Sequence, residues 1–146
     1  MLSKIRSFFS QQIQEIDRNP EHGLQLATAS LLIELIQTDE TVHDTELQHA
    51  FEAIQNTFEL SDDDTQSLIS LAKENTEHAT SLYQFTRELN DHLDAEQKNR
   101  IIYLMWKVAF ADGHIDKYED HLIRKVSELM YVPHHEFIKA KIAASE

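Results

Sequence analysis

The chain has 146 residues, no cysteine, two glycines, two prolines and a formal net charge of −13. The missing thiols exclude disulfides, thiolate metal sites and cysteine nucleophiles. The charge argues against a nucleic-acid backbone or an anionic bilayer surface as the natural partner, because both must be met by clustered Lys and Arg.

A chain of this length forms one domain and buries roughly two-thirds of its unfolded surface without a staple, so residues 1–146 are read as a single domain. So few turn-forming residues argue against sheets and long loops, and the fold expected is all-α, a compact bundle of seven or eight helices. No apolar run approaches the roughly 20 residues that cross a bilayer. The first 16 residues are charged too late for a secretory leader, and a cytoplasmic setting is expected.

Leu2, Ile5, Phe8, Phe9, Ile13 and Ile16 recur at helical spacing, which predicts an N-terminal amphipathic helix over residues 1–16. Such a stripe either packs on the domain or docks on a partner or membrane surface. Asn19-Pro20 signals a turn, and residues 17–22 are read as a break. A helix is then expected over residues 24–38, with Leu24, Ala27, Leu31, Leu32, Leu35 and Ile36 inward. The near-continuous apolar run at 31–36 suggests the centre of the core. Another helix is expected over 43–57, with Leu47, Ala50, Phe51, Ile54 and Phe58 on one face. Ser61 caps a third, and Asp62, Asp63 and Asp64 suit the positive end of its dipole. Its stripe is Leu68, Ile69, Leu71 and Ala72.

The polar stretch 74–81 is read as an interruption. Leu82, Phe85 and Leu89 then mark a short helix. Asp94 and Gln97 have the spacing of a capping box and start a helix to Ala111, with Ile101, Leu104, Met105, Val108 and Ala109 inward and Tyr103 and Trp106 at the core or its edge. Residues 115–131 carry Leu122, Ile123, Val126, Leu129 and Met130. Pro133 opens a last helix with Phe137, Ile138 and Ile142 inward.

Two short acidic connections stand out. Residues 39–46 read Asp-Glu-Thr-Val-His-Asp-Thr-Glu, and residues 112–119 read Asp-Gly-His-Ile-Asp-Lys-Tyr-Glu. Each has Asp first, a β-branched apolar residue fourth and Glu eighth. An offset of 73 superposes Leu31 on Leu104 and Asp39 on Asp112, and by residues 58–61 the offset is 72. This weak repeat predicts two pseudo-repeated helix-loop-helix halves; two copies are too few for an open array. As structural joints, Asp116 and Glu119 form a capping-box pair, and Gly113 relieves the preceding helix end. As a site, Asp39, Glu40, Asp44, Glu46, Asp112, Asp116 and Glu119 crowd together and repel one another unless a cation is present. Their hard oxygens suit Ca²⁺ or Mg²⁺, while His43 and His114 would shift preference toward Zn²⁺. Neither segment is an EF-hand, which needs twelve residues and acids at positions one, three and five.

The pattern Ala-Asp-Gly-His-Ile-Asp-x-x-Glu followed by Leu-Ile-x-x-Val-x-x-Leu-Met-x-Val, over residues 111–132, resembles the TerB-like (tellurite-resistance) family. Residues 38–60 carry the second copy. The resemblance implies a compact, pseudo-symmetric helical domain with an acidic surface, tied to tellurite resistance and stress response. Its acidic positions map to Asp39, Glu46, Asp112, Asp116 and Glu119. The first copy departs from the pattern, with Glu40 in place of Gly113 and His43 in place of Asp116.

The expected function is a non-enzymatic acidic interaction module that binds a divalent cation or a basic protein surface, with membrane association only through a partner. One alternative is a metal-dependent hydrolase or transferase using the same cluster. Another is a co-chaperone-like accessory or scaffold domain that docks through residues 2–16. No nucleophile elbow or phosphate loop is present, so no catalytic or cofactor-binding residue is assigned. His134, His135 and Glu136, with His121, form a weaker zinc candidate.

Overall fold

A computed structural model describes the backbone of residues 2–37, 44–74, 78–111 and 116–146, and the side chains of residues 10–37, 47–70, 82–111 and 120–146. The described residues form eight helices: α1 (Leu2–Arg18), α2 (Pro20–Gln37), α3 (Asp44–Phe58), α4 (Asp62–Glu74), α5 (His78–His92), α6 (Ala95–Ala111), α7 (Asp116–Leu129) and α8 (His134–Ser145). No strand occurs among the described residues.

The layout follows from α2. Leu24, Ala27, Leu31, Leu32, Leu35 and Ile36 are buried as predicted, and so are Ala29 and Ile33 on the remaining sides. A helix apolar around its whole circumference must be covered all round. α2 accordingly contacts α1, α3, α4, α5, α6 and α7. Its small polar side chains are satisfied locally: Thr28 Oγ1 donates to the Leu24 carbonyl at 2.7 Å and Ser30 Oγ to that of Leu26 at 2.9 Å.

The predicted break at 17–22 is shorter than expected. Asn19 N–H closes α1 on the Glu15 carbonyl, and the Asn19 carbonyl accepts the first bond of α2 from Gly23 N–H. Asn before Pro works here as cap and first helical residue, where the missing proline N–H has no role. Gly23 is required by proximity: a Cβ there would fall on the backbone of Ile16 and 2.8 Å from the Glu15 carbonyl carbon. Ile16 is buried, and α1 contacts both α2 and α5. His92 Nε2 of α5 lies 2.7 Å from Asp17 Oδ1. α5 begins at His78, earlier than Leu82 as the stripe suggested.

The predicted caps of α4 and α6 form. Ser61 Oγ accepts from Asp64 N–H at 3.1 Å, and Asp94 and Gln97 exchange both capping-box bonds. In α4, Leu68 is buried and Ile69 partly so, while the side chains of Leu71 and Ala72 lie outside the described residues. The inward sets of α3, α5, α6 and α7 are buried or half-buried as predicted, with Trp106 fully inside and Tyr103 at the edge.

The last helix corrects one prediction. Ile142 is 58% exposed, and α8 turns Phe137, Ala140 and Ala144 inward instead. Small residues at three-and-four spacing let α8 lie close along α6, the most extensive helix pair in the molecule. Bulk at Ile142, about 140° around the helix from Phe137, points away.

α3 and α7 end alike. Glu59 and Tyr131 adopt φ of 53° and 57°. Leu60 N–H returns to the Gln55 carbonyl, and Val132 N–H to that of Ser127. Both are Schellman closures, 72 residues apart, at the register of the sequence repeat. Neither left-handed position is a glycine.

Gly23→Ala should destabilise the protein by about 1–3 kcal/mol, because backbone rather than a flexible side chain must give way. Tyr131→Gly should stabilise it by about 0.5–1 kcal/mol by removing the left-handed strain. Urea unfolding followed by circular dichroism measures both.

Candidate functional site

The acidic connections join α2 to α3 and α6 to α7. Asp39, Glu40 and His43, and likewise Asp112, Gly113 and His114, lie outside the described residues. Asp44 opens α3 with Glu46 two residues on, and Asp116 opens α7 with Glu119 in the same turn; the side chains of these four also lie outside the described set.

The flanking helices are mutually packed. α2 meets α6 broadly, α3 also meets α6, and α7 also meets α2. Arg100 of α6 holds Glu21 of α2 at 2.8 Å, and this bond raises the Arg100 pKa against the opposing effect of burial.

Beyond the second connection, Asp120 is neutralised from two helices. Arg124 reaches its Oδ2 at 3.0 Å and Lys141 of α8 its Oδ1 at 3.5 Å. The Arg124 hydrogen bond holds this carboxyl below its ordinary range, against partial desolvation. Asp120 is therefore tied into the α7–α8 contact.

One acid escaped the sequence reading. Glu34 of α2 is fully buried and is partnered within the fold. The signal was available: it is the single charge inside the run Leu-Leu-Ile-Glu-Leu-Ile at 31–36. A helix buried on every side offers a charged side chain no route to water.

The histidine candidate does not assemble. His135 pairs with its neighbour Glu136 at 3.4 Å, and Asn99 donates to Glu136. His134 lies against the Phe137 ring. His121 follows Asp120, which faces Lys141, more than a turn from His134 along α8. Among the described residues no group of three or more His, Asp or Glu could hold a metal.

These features define an acidic, all-helical domain, and no described helix is long and apolar enough to cross a membrane. The sequence model of the family described as tellurite resistance protein TerB matches residues 25–142, and the chain belongs to that family. The match spans nearly all of α2 and the helices after it, as the paired acidic patterns predicted, and makes this a tellurite-resistance-associated domain; α1 lies outside it. No curated protein and no solved structure gives a significant match.

Because the folded pKa of Asp120 is depressed, its contribution is present above the unfolded carboxylate range and is lost as pH falls through the folded value. Half-exposure of the pair limits it to a few tenths of a kcal/mol. Asp120→Asn should therefore lower the urea midpoint slightly at pH 7, with the difference from wild type shrinking as pH approaches 3.

Proposed function

We propose that the chain is a non-enzymatic interaction module whose two acidic connections jointly bind a divalent cation, or present the same field to a basic partner surface. Asp39, Glu46, Asp112, Asp116 and Glu119 supply the negative charge, with Asp44, His43 and His114 as further donors. A donor set dominated by carboxylates suits Ca²⁺ or Mg²⁺.

The observation that carries this reading is the relative sense of α2 and α6. The Glu21–Arg100 pair joins the second residue of α2 to the sixth of α6. An antiparallel pair meeting there would overlap by no more than about two turns, which does not agree with their broad contact. Two helices that start together and run the same way end together. Their last residues, Gln37 and Ala111, then point toward one end of the bundle, and each is followed by an acidic connection. Carboxylates gathered at one end repel one another, and a cation relieves that repulsion.

Isothermal titration should show saturable heat with Ca²⁺ or Mg²⁺, accompanied by a rise in melting temperature. The double variant Asp112→Asn/Glu119→Gln should weaken binding at least tenfold while retaining helicity. Without cation it should melt slightly above wild type, because repulsion is relieved. Absence of heat and of thermal stabilisation with Ca²⁺, Mg²⁺ and Zn²⁺ would remove the cation reading.

A further inference from the structure

A cavity of about 270 Å³ lies between α1, α2 and α4, lined in part by Gln12, Glu15, Arg18, Leu26, Asp64 and Leu68. That volume is close to the lower end of small-ligand sites, about 300 Å³. It is built partly by α1, outside the family match.

Gln12 gives the cavity a chemical preference. It is 6% exposed. Its Nε2 donates to Ser30 Oγ at 2.7 Å, and Ser30 gives its only hydroxyl proton to the Leu26 carbonyl. Ser30 must therefore accept, which fixes the orientation of the amide. Gln12 Oε1 is left buried with no hydrogen-bond partner, a state that costs about 1–3 kcal/mol. The remaining polar lining is mixed: the Glu15 and Asp64 carboxylates accept, Arg18 donates, and Gln11, Gln14 and Ser67 can do either. Arg18 reaches Glu15 from a mostly exposed position at the rim, and His22 lies 3.3 Å from Asp64. Leu26 and Leu68 add apolar wall.

We propose that this cavity binds a small ligand through a primary alkylammonium group. The N–H donors meet Gln12 Oε1 and the two carboxylates, and the alkyl portion lies on the leucines. The group can come from a simple amine or from an amino acid, whose carboxylate Arg18 would meet at the rim. The strongly negative chain steers either cationic end inward.

The test is a titration of the ¹⁵N-labelled chain with putrescine, leucine and tetramethylammonium, followed by NMR. Putrescine or leucine should give saturable shifts of the Gln12 side-chain amide and of residues 11–18 and 64–68. Tetramethylammonium, a monocation that carries no N–H, should not. Glu15→Gln and Asp64→Asn should each weaken binding about tenfold, the loss of one charge-assisted bond. Asp112→Asn/Glu119→Gln should leave it unchanged, which separates this site from the acidic connections. Tighter binding of leucine than putrescine, abolished by Arg18→Gln, identifies an amino-acid ligand; the reverse order identifies an amine. The proposal is overturned if neither ligand saturates, if tetramethylammonium matches putrescine, or if Glu15→Gln, which leaves the Gln12–Ser30 bond intact, binds as wild type does.

Discussion

Burial of α2 on every side is the constraint on which the architecture depends. Twelve of its eighteen residues are buried, including Glu34 and the self-bonded Thr28 and Ser30. No single neighbouring helix can shield such a rod, so the chain sends six others against it. Each of these needs only one apolar stripe. Transfer from water favours this at about 25 cal/mol per Å² of apolar surface. Only α8 has no substantial contact with α2, and it joins the fold through α6 and α7.

That second layer uses a different device. α6 and α8 approach through Ala140 and Ala144, and Trp106 fills the space beside Phe137 and Phe110. α7 runs back along α8, with Arg124 over the Phe137 ring and Asp120 against Lys141. The Asn90 side chain of α5 donates to the Leu129 carbonyl near the end of α7, linking this layer to the helices around α2. The end of α7 thus has three fixed features: that bond, the Schellman closure and the buried Val132.

Elements defined by local chemistry were legible in the sequence. The capping box at Asp94 and Gln97, the cap at Ser61 and the stripes of α3, α6 and α7 depend on residues within one or two turns. What depended on a neighbour was not legible. Periodicity placed Ile142 inward because it is apolar, but the closeness of α6 favours alanine on that face. Asn19-Pro20 signals a turn in any sequence; that it starts a helix at once follows from the glycine four residues after Asn19, which admits the crossing of α1. Glu34 belonged to a run identified as central, yet the burial of this one charge was not read from it. The family was legible in two acidic patterns in register, and the match to the TerB model bears that out; the side chains of those patterns lie outside the described residues. The pairing of α2 with α6 was not, because nothing local joins Glu21 to Arg100 across 79 positions of chain.

The distribution of charge sharpens the case for an acidic site. Residues 1–93 hold 17 acidic and 5 basic side chains, whereas residues 94–146 hold 9 and 8. The second group looks nearly balanced, yet four of its eight cations lie over aromatic rings. Arg100 and Lys107 flank the Tyr103 ring, Lys141 lies over Trp106 and Arg124 over Phe137. Two of them also hold Asp120, and Arg100 holds Glu21. Cations over aromatic faces cover the edge of the α6–α8 core, where their alkyl stems shield apolar surface. The near-neutral count in this half therefore overstates the positive charge left free on its surface.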